Sequence, residues 1–86
     1  MSVEEARTML LGLLAARQPG ATICPSEVAR AVAGQGDWRV AMPVVHASVD
    51  ELLARGRIQL SWKGKTMQTR SGPYRIAAVT PDEAEV

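Results

Sequence analysis

The stretch RIQLSWKGKTMQTRSGPYRIAAV, Arg57 to Val79, decides how the rest of the chain is read. Ile58, Leu60 and Trp62 alternate with Arg57, Gln59 and Ser61, the period of two that marks a half-buried strand. Lys63-Gly64-Lys65 then opens a long loop that closes at Ser71-Gly72-Pro73. Tyr74, Ile76 and Ala78 alternate with Arg75, Ala77 and Val79, which predicts a return strand. Between Leu52 and Pro81 there are six basic side chains (Arg55, Arg57, Lys63, Lys65, Arg70 and Arg75) and no Asp or Glu. The hairpin is basic along its whole length.

Upstream of it the pattern is helical. Met42, Val45, Val49 and Leu52, with Leu53 beside them, make a buried face at helical spacing up to Gly56, a residue suited to ending a helix. Pro43 complicates this segment, because proline inside a helix removes one backbone donor and crowds the preceding turn. The expectation is a short helical turn at Trp38–Ala41 behind the cap Asp37, then the main helix from Pro43 to Arg55. A kinked continuous helix is the alternative. Before it, Pro25 suits a first helical position, with Ser26 and Glu27 in the first turn; Val28, Ala29 and Val32 form the buried stripe and Gly34 is the stop. Ala21–Cys24 is compatible with a minimal strand. At the start, Ser2 and Glu5 make an S-x-x-E capping pair for a helix beginning at Val3. Its apolar face is Ala6, Met9, Leu10, Leu13 and Leu14, and Gln18-Pro19-Gly20 ends it.

At 86 residues, with 47% hydrophobic and 22% charged side chains, the chain supports one domain around one small core. No apolar run approaches the roughly 20 residues of a membrane span. The first residues, MSVEEAR, are acidic where a signal peptide is basic, so no export segment is expected. The single cysteine excludes an internal disulfide and fits a reducing cytoplasm, the expected location. The net charge of +1 hides an uneven distribution: Glu4, Glu5, Asp82, Glu83 and Glu85 lie at the ends. The body keeps ten Lys/Arg against four acids, or +6. A domain over residues 1–80 and a disordered acidic tail over 81–86 follow from this pattern.

The order is helix, short strand, helix, helix, strand, long loop, strand. That is the topology of an α+β winged helix-turn-helix domain: three helices plus a small antiparallel sheet with a long basic wing. The segments ICPSEVARAV, GDWRVAMPVV and GRIQLSWKGK…SGPYRI, in this order, resemble a bacterial family of small uncharacterised domains with that fold. The resemblance runs from Val3 to Val79, and its most specific strings are ICPSEVAR and DWR-x-x-MP-x-V. It implies a fold and brings no catalytic residue with it.

In winged-helix proteins the helix before the hairpin enters the major groove and the wing touches the DNA backbone or minor groove. Here helical geometry exposes Pro43, Ala47, Asp50, Glu51 and Ala54 on that helix, a face with two carboxylates and no cation. Arg39 and His46 are its only candidate base or phosphate contacts. The hairpin is better equipped: Lys63, Lys65 and Arg70 on the loop, with Arg55 and Arg57 at its base, can neutralise phosphates. Thr66, Gln68 and Thr69 can add hydrogen bonds to the backbone oxygens. The plainer reading of the same cations is a solvated loop that blunts an edge strand. Trp62 at the loop mouth can stack on a base, but its parity with Ile58 and Leu60 favours the core. Trp38 is expected against the second helix and Tyr74 over the sheet. His46, with Asp50 one turn away, is either a charge switch or an ordinary surface histidine, and the surface reading is preferred. Cys24, near a helix start, is either a reactive thiol or a small buried hydrophobe, and burial is preferred.

Enzymatic readings fail on inventory. One His and one Cys cannot build a structural zinc site, and there is no glycine-rich phosphate loop. No catalytic residue, metal or cofactor is expected. The expected activity is weak, non-enzymatic DNA binding centred on the wing, by a monomer with no membrane association. The alternative is a winged-helix module that docks a protein partner and has no nucleic-acid activity. Double-stranded DNA and a protein are therefore the two expected kinds of partner.

Overall fold

A computed structural model of the chain describes residues 1–79. Three helices and a four-stranded antiparallel sheet make an α+β fold. In chain order the elements are α1 (Val3–Ala15), β1 (Thr22–Ile23), α2 (Pro25–Ala33), α3 (Trp38–Ala54), β2 (Ile58–Trp62), β3 (Lys65–Met67) and β4 (Arg75–Ala78). Spatially the strands run β1-β4-β2-β3, so the last of the described strands lies inside the sheet and β3 at its edge. The expected acidic tail, residues 81–86, lies outside the described residues.

Each helix starts on a residue chosen for the job. Ser2 accepts a hydrogen bond from the Glu5 amide at 3.1 Å, and the Asp37 carboxylate accepts from the Arg39 amide at 3.0 Å. At α2 the Glu27 carboxylate reaches back to the Cys24 amide at 2.7 Å, so the first turn is held by its own side chain. α3 closes on Gly56, whose φ of 69° only glycine adopts cheaply. The Gly56 amide donates to the Leu53 carbonyl and the Arg57 amide to the Leu52 carbonyl, the paired bonds of a Schellman cap.

Pro43 does not begin a helix. α3 runs unbroken from Trp38 to Ala54 with Pro43 inside it, so the continuous-helix alternative is the correct one. The position explains the tolerance. Pro43 is exposed and one turn from the start, and the carbonyl it leaves unpaired is that of Arg39, another exposed residue. Water can serve that carbonyl, whereas breaking the helix would have separated Ala41 from Val45, both fully buried.

The core is one cluster drawn from every element except β3. Ala6, Leu10 and Leu14 come from α1, Ile23 from β1, Val28 and Ala29 from α2, and Ala41, Val45, Val49 and Leu52 from α3. Ile58, Leu60, Ile76 and Tyr74 complete it. Fully burying each of the larger aliphatic side chains contributes roughly 1.5–3 kcal/mol. Ser48, buried among them, donates to its own helix at the Val45 carbonyl, 2.8 Å away. The expected burial is incomplete at the margin of α1 and α2. Met9 is 44% exposed, because Ala6, Leu10 and Leu14 already fill the contact of α1 and the stripe is narrower than the apolar run. Leu13 and Val32 are half-buried at the margin of the same cluster.

The long loop expected after Trp62 is also shorter than anticipated. Lys63 and Gly64, both with positive φ (52° and 83°), form a two-residue turn that sends the chain straight back as β3. Trp62 pairs with Lys65, Ser61 with Thr66 and Leu60 with Met67. Only residues 68–74 remain as a connection to β4.

Candidate nucleic-acid interface

The seven residues expected to meet phosphate or bases do not form one patch. Arg39 stands at the first turn of α3 and Arg55 just past its end, about 24 Å away by helical rise. Arg57 and Lys63 flank β2 and are separated by roughly 20 Å of extended chain. His46 lies mid-helix, and Arg70 is on the segment that connects β3 to β4. Lys63 and Lys65 share the tip of the β2–β3 hairpin, and Arg70 comes close enough to His46 for its charge to act on the imidazole.

Much of the basic charge is already engaged. Arg70 grips Asp50 of α3 with two bonds, Nε to Oδ1 at 2.9 Å and Nη2 to Oδ2 at 3.0 Å. This fork matches the carboxylate geometry, and it holds the Asp50 carboxyl below its ordinary value while raising the guanidinium. Arg55 lies 3.4 Å from Glu51, which also receives Arg7 of α1. Arg17 pairs with Glu27 at 2.8 Å, and Arg39 sits 3.6 Å from Asp37. Arg75 is spent on Thr22, donating to its hydroxyl at 2.9 Å and its carbonyl at 3.2 Å, which clasps β1 to β4. Arg57, Lys63 and Lys65 have no carboxylate partner among the described residues.

His46 has a partner the sequence did not reveal. Its Nδ1 lies 2.7 Å from the Tyr74 hydroxyl, while Asp50 is taken by Arg70. Burial, followed by the positive charge of Arg70, lowers the imidazole pKa against a smaller opposing pull from Asp50. Burial pushes the Tyr74 phenol up to about 12. The phenol therefore keeps its proton, and the bond joins it to a ring whose tautomer sets which partner donates. Together the Asp50–Arg70 and His46–Tyr74 pairs pin residues 70–74 against α3.

The two tryptophans behave differently from one another. Trp38 is half-buried and packs on the core cluster, with the guanidinium carbons of Arg39 and Arg30 at 4.7 and 5.2 Å from its ring centre. Trp62, expected to plug the core, is 40% exposed and stands outside the core cluster. It does share the face of Ile58 and Leu60, but the sheet ends first. β4 pairs with β2 only as far as Ser61↔Arg75, so nothing of β4 reaches Trp62. Tyr74, by contrast, is 4% exposed and belongs to the core as expected.

On α3 the outward face is Val40, Pro43, Ala47, Asp50 and Ala54, with Val40 65% exposed. Glu51, expected on that face, is half-buried under its two arginines. Cys24 is half-buried, its Sγ 3.1 Å from the Ser26 hydroxyl. Among the described residues no group of His, Cys, Asp and Glu has the arrangement of a metal site, and no helix is long and apolar enough to cross a membrane.

This chain belongs to the family described as protein of unknown function (DUF3253), whose model matches residues 3–79. The matched span is the stretch Val3–Val79 that carries the ICPSEVAR, GDWRVAMPVV and GRIQLSWKGK segments. No curated protein matches the chain.

Proposed function

We propose that this chain is a non-enzymatic winged-helix protein that binds nucleic acid weakly through the tip of its β2–β3 hairpin. In this reading α1, α2 and α3 are the helical part of the fold, and the β2–β3 hairpin with residues 68–74 is the wing. One observation carries the reading: Lys63 and Lys65 share an exposed turn without a carboxylate partner among the described residues, while five other cations are paired with carboxylates. Phosphate contact at the turn displaces no existing ion pair. α3 is a poor reader of bases, since its outward face offers alanine, valine, proline and an aspartate already neutralised by Arg70. Binding is therefore expected to depend on charge more than on sequence. The histidine and the carboxylates are occupied in holding elements together, which fits a binding module better than a catalyst.

The test is titration with duplex and single-stranded DNA at several salt concentrations. If Lys63 and Lys65 neutralise about two phosphates at the tip and Arg57, at the far end of β2, about one more, log K falls against log salt with a slope near −2.7 for a duplex. A slope of zero, or no binding at low salt, removes the proposal. The second reading, a protein-docking module, is favoured by the exposed uncharged face around Val40, Pro43 and Ala47. Nucleic-acid binding abolished by Val40→Glu and indifferent to the lysines would move the interface to that face. We further propose that the protein acts as a cytoplasmic monomer, which sedimentation and cell fractionation test.

A further inference from the structure

We infer that Trp62, flanked by Lys63 and Lys65, is a stacking platform for an unpaired nucleobase, so that the preferred ligand is single-stranded nucleic acid. The inference rests on the nucleic-acid reading above and gives it a substrate class. Trp62 is the largest exposed aromatic surface of the described residues, and hydrophobic side chains of this size are normally covered. Three features of the backbone put it there. β4 begins at the level of Ser61, so among the described residues no strand covers that side of the tip. The Lys63-Gly64 turn reverses the chain immediately, which keeps residue 62 at the extremity. The side chain directly opposite on β3 is Lys65, which projects from the same face of the hairpin as Trp62, with Cβ atoms about 5 Å apart.

The chemistry of that pairing fits a nucleotide. An indole face accepts any base by stacking, and an ammonium group beside it reaches the phosphate of the same or the next nucleotide. A duplex hides its base faces inside the stack, so it can use the lysines but not the tryptophan. A strand with free bases uses both. The same tip thus binds two ligands to different extents, and the difference is the contribution of Trp62.

The experiment follows the indole of Trp62 by fluorine NMR in protein carrying fluorotryptophan, with the two signals assigned by Trp62→Phe. Titrants are a short single-stranded oligodeoxythymidylate, a duplex of the same length, and inorganic polyphosphate as a base-free polyanion. The Trp62 signal should move with the oligonucleotide, much less with the duplex, and not with polyphosphate, while the Trp38 signal stays fixed. Trp62→Ala should weaken single-strand binding by roughly five- to a hundredfold, and Trp62→Phe should retain most of it. Equal shifts with polyphosphate, or unchanged affinity in Trp62→Ala while the lysine variants lose binding, would overturn the stacking role and leave the wing reading standing. No binding of any of the three titrants removes both. Circular dichroism of Trp62→Ala, at an exposed position outside the core, checks that a loss of affinity is not a loss of fold.

Discussion

The segment at residues 68–74 and the hairpin tip at residues 62–65 are both basic and only a few residues apart, yet they differ in what their charge is free to do. Arg70 in the first is locked onto Asp50, and Tyr74 onto His46. Lys63 and Lys65 in the second face solvent beside an exposed indole. One region uses its polar groups to fasten loop to helix, and the other keeps them available. Counting charges along a chain therefore overstates the charge a ligand meets, because a carboxylate distant in sequence can cancel it.

The sharpest way to break this contrast is along β2. Leu60 and Trp62 are two residues apart on one face, one fully buried and one exposed. Leu60→Ala should cost about 2–5 kcal/mol in chemical denaturation, whereas Trp62→Ala should leave stability nearly unchanged. Comparable losses would mean that the tip packs on the domain. Binding provides the second test. Replacing Lys63 by Asn and Lys65 by Gln should flatten the salt slope by about 1.8, while Asp50→Asn, which releases Arg70, should steepen it by up to about 0.9. A slope unaffected by Asp50→Asn would show that Arg70 points away from any bound phosphate.

Smaller effects probe the fastened region. Tyr74→Phe removes one part-buried hydrogen bond and should cost about 0.5–1.5 kcal/mol. Lys63→Asn alone should be neutral or stabilising by up to about 1 kcal/mol, since asparagine tolerates positive φ better than lysine, even as binding weakens. The smallest effect concerns acidity. The folded pKa of His46 lies below the unfolded value near 6.5, so the unfolded chain takes up a proton that the folded one refuses. Stability contributed by the neutral ring is present above 6.5 and is lost as pH falls through the folded pKa. Thermal melts of the wild type should decline across that window, and His46→Gln should remove the decline.

Local chemistry made most of the fold legible. Ser2, Pro25, Asp37 and Gly56 each mark a boundary by what their backbone or side chain does, and the boundaries stand where those residues sit. Misreadings came where a local rule met a distant constraint. Pro43 argued for a new helix, but burial on both sides of it kept one helix whole. Lys65–Met67 reads as loop because three residues are too few to display alternation, and Lys-Gly is an uncommon two-residue turn. Met9 and Trp62 obeyed their periods and still missed the core, because periodicity gives a direction and says nothing of whether a neighbour lies there. At the candidate site, the lysines and Arg57 were visible as unaccompanied cations. The partners of Arg70 and His46, 20 and 28 residues away, were not.

The strand order carries a consequence for how the protein is made. β4 sits between β1 and β2, although it follows both in the chain, and it brings Ile76 into the core. Until it arrives, β1 has no partner and β2 has only the short β3 on one side. A nascent chain halted before Tyr74 would hold three helices over an open groove lined by Ile23, Ile58 and Leu60, with two strand edges exposed to other chains. Closure of the sheet must wait for β4 to leave the ribosome, and the period before that is when this domain most needs a chaperone.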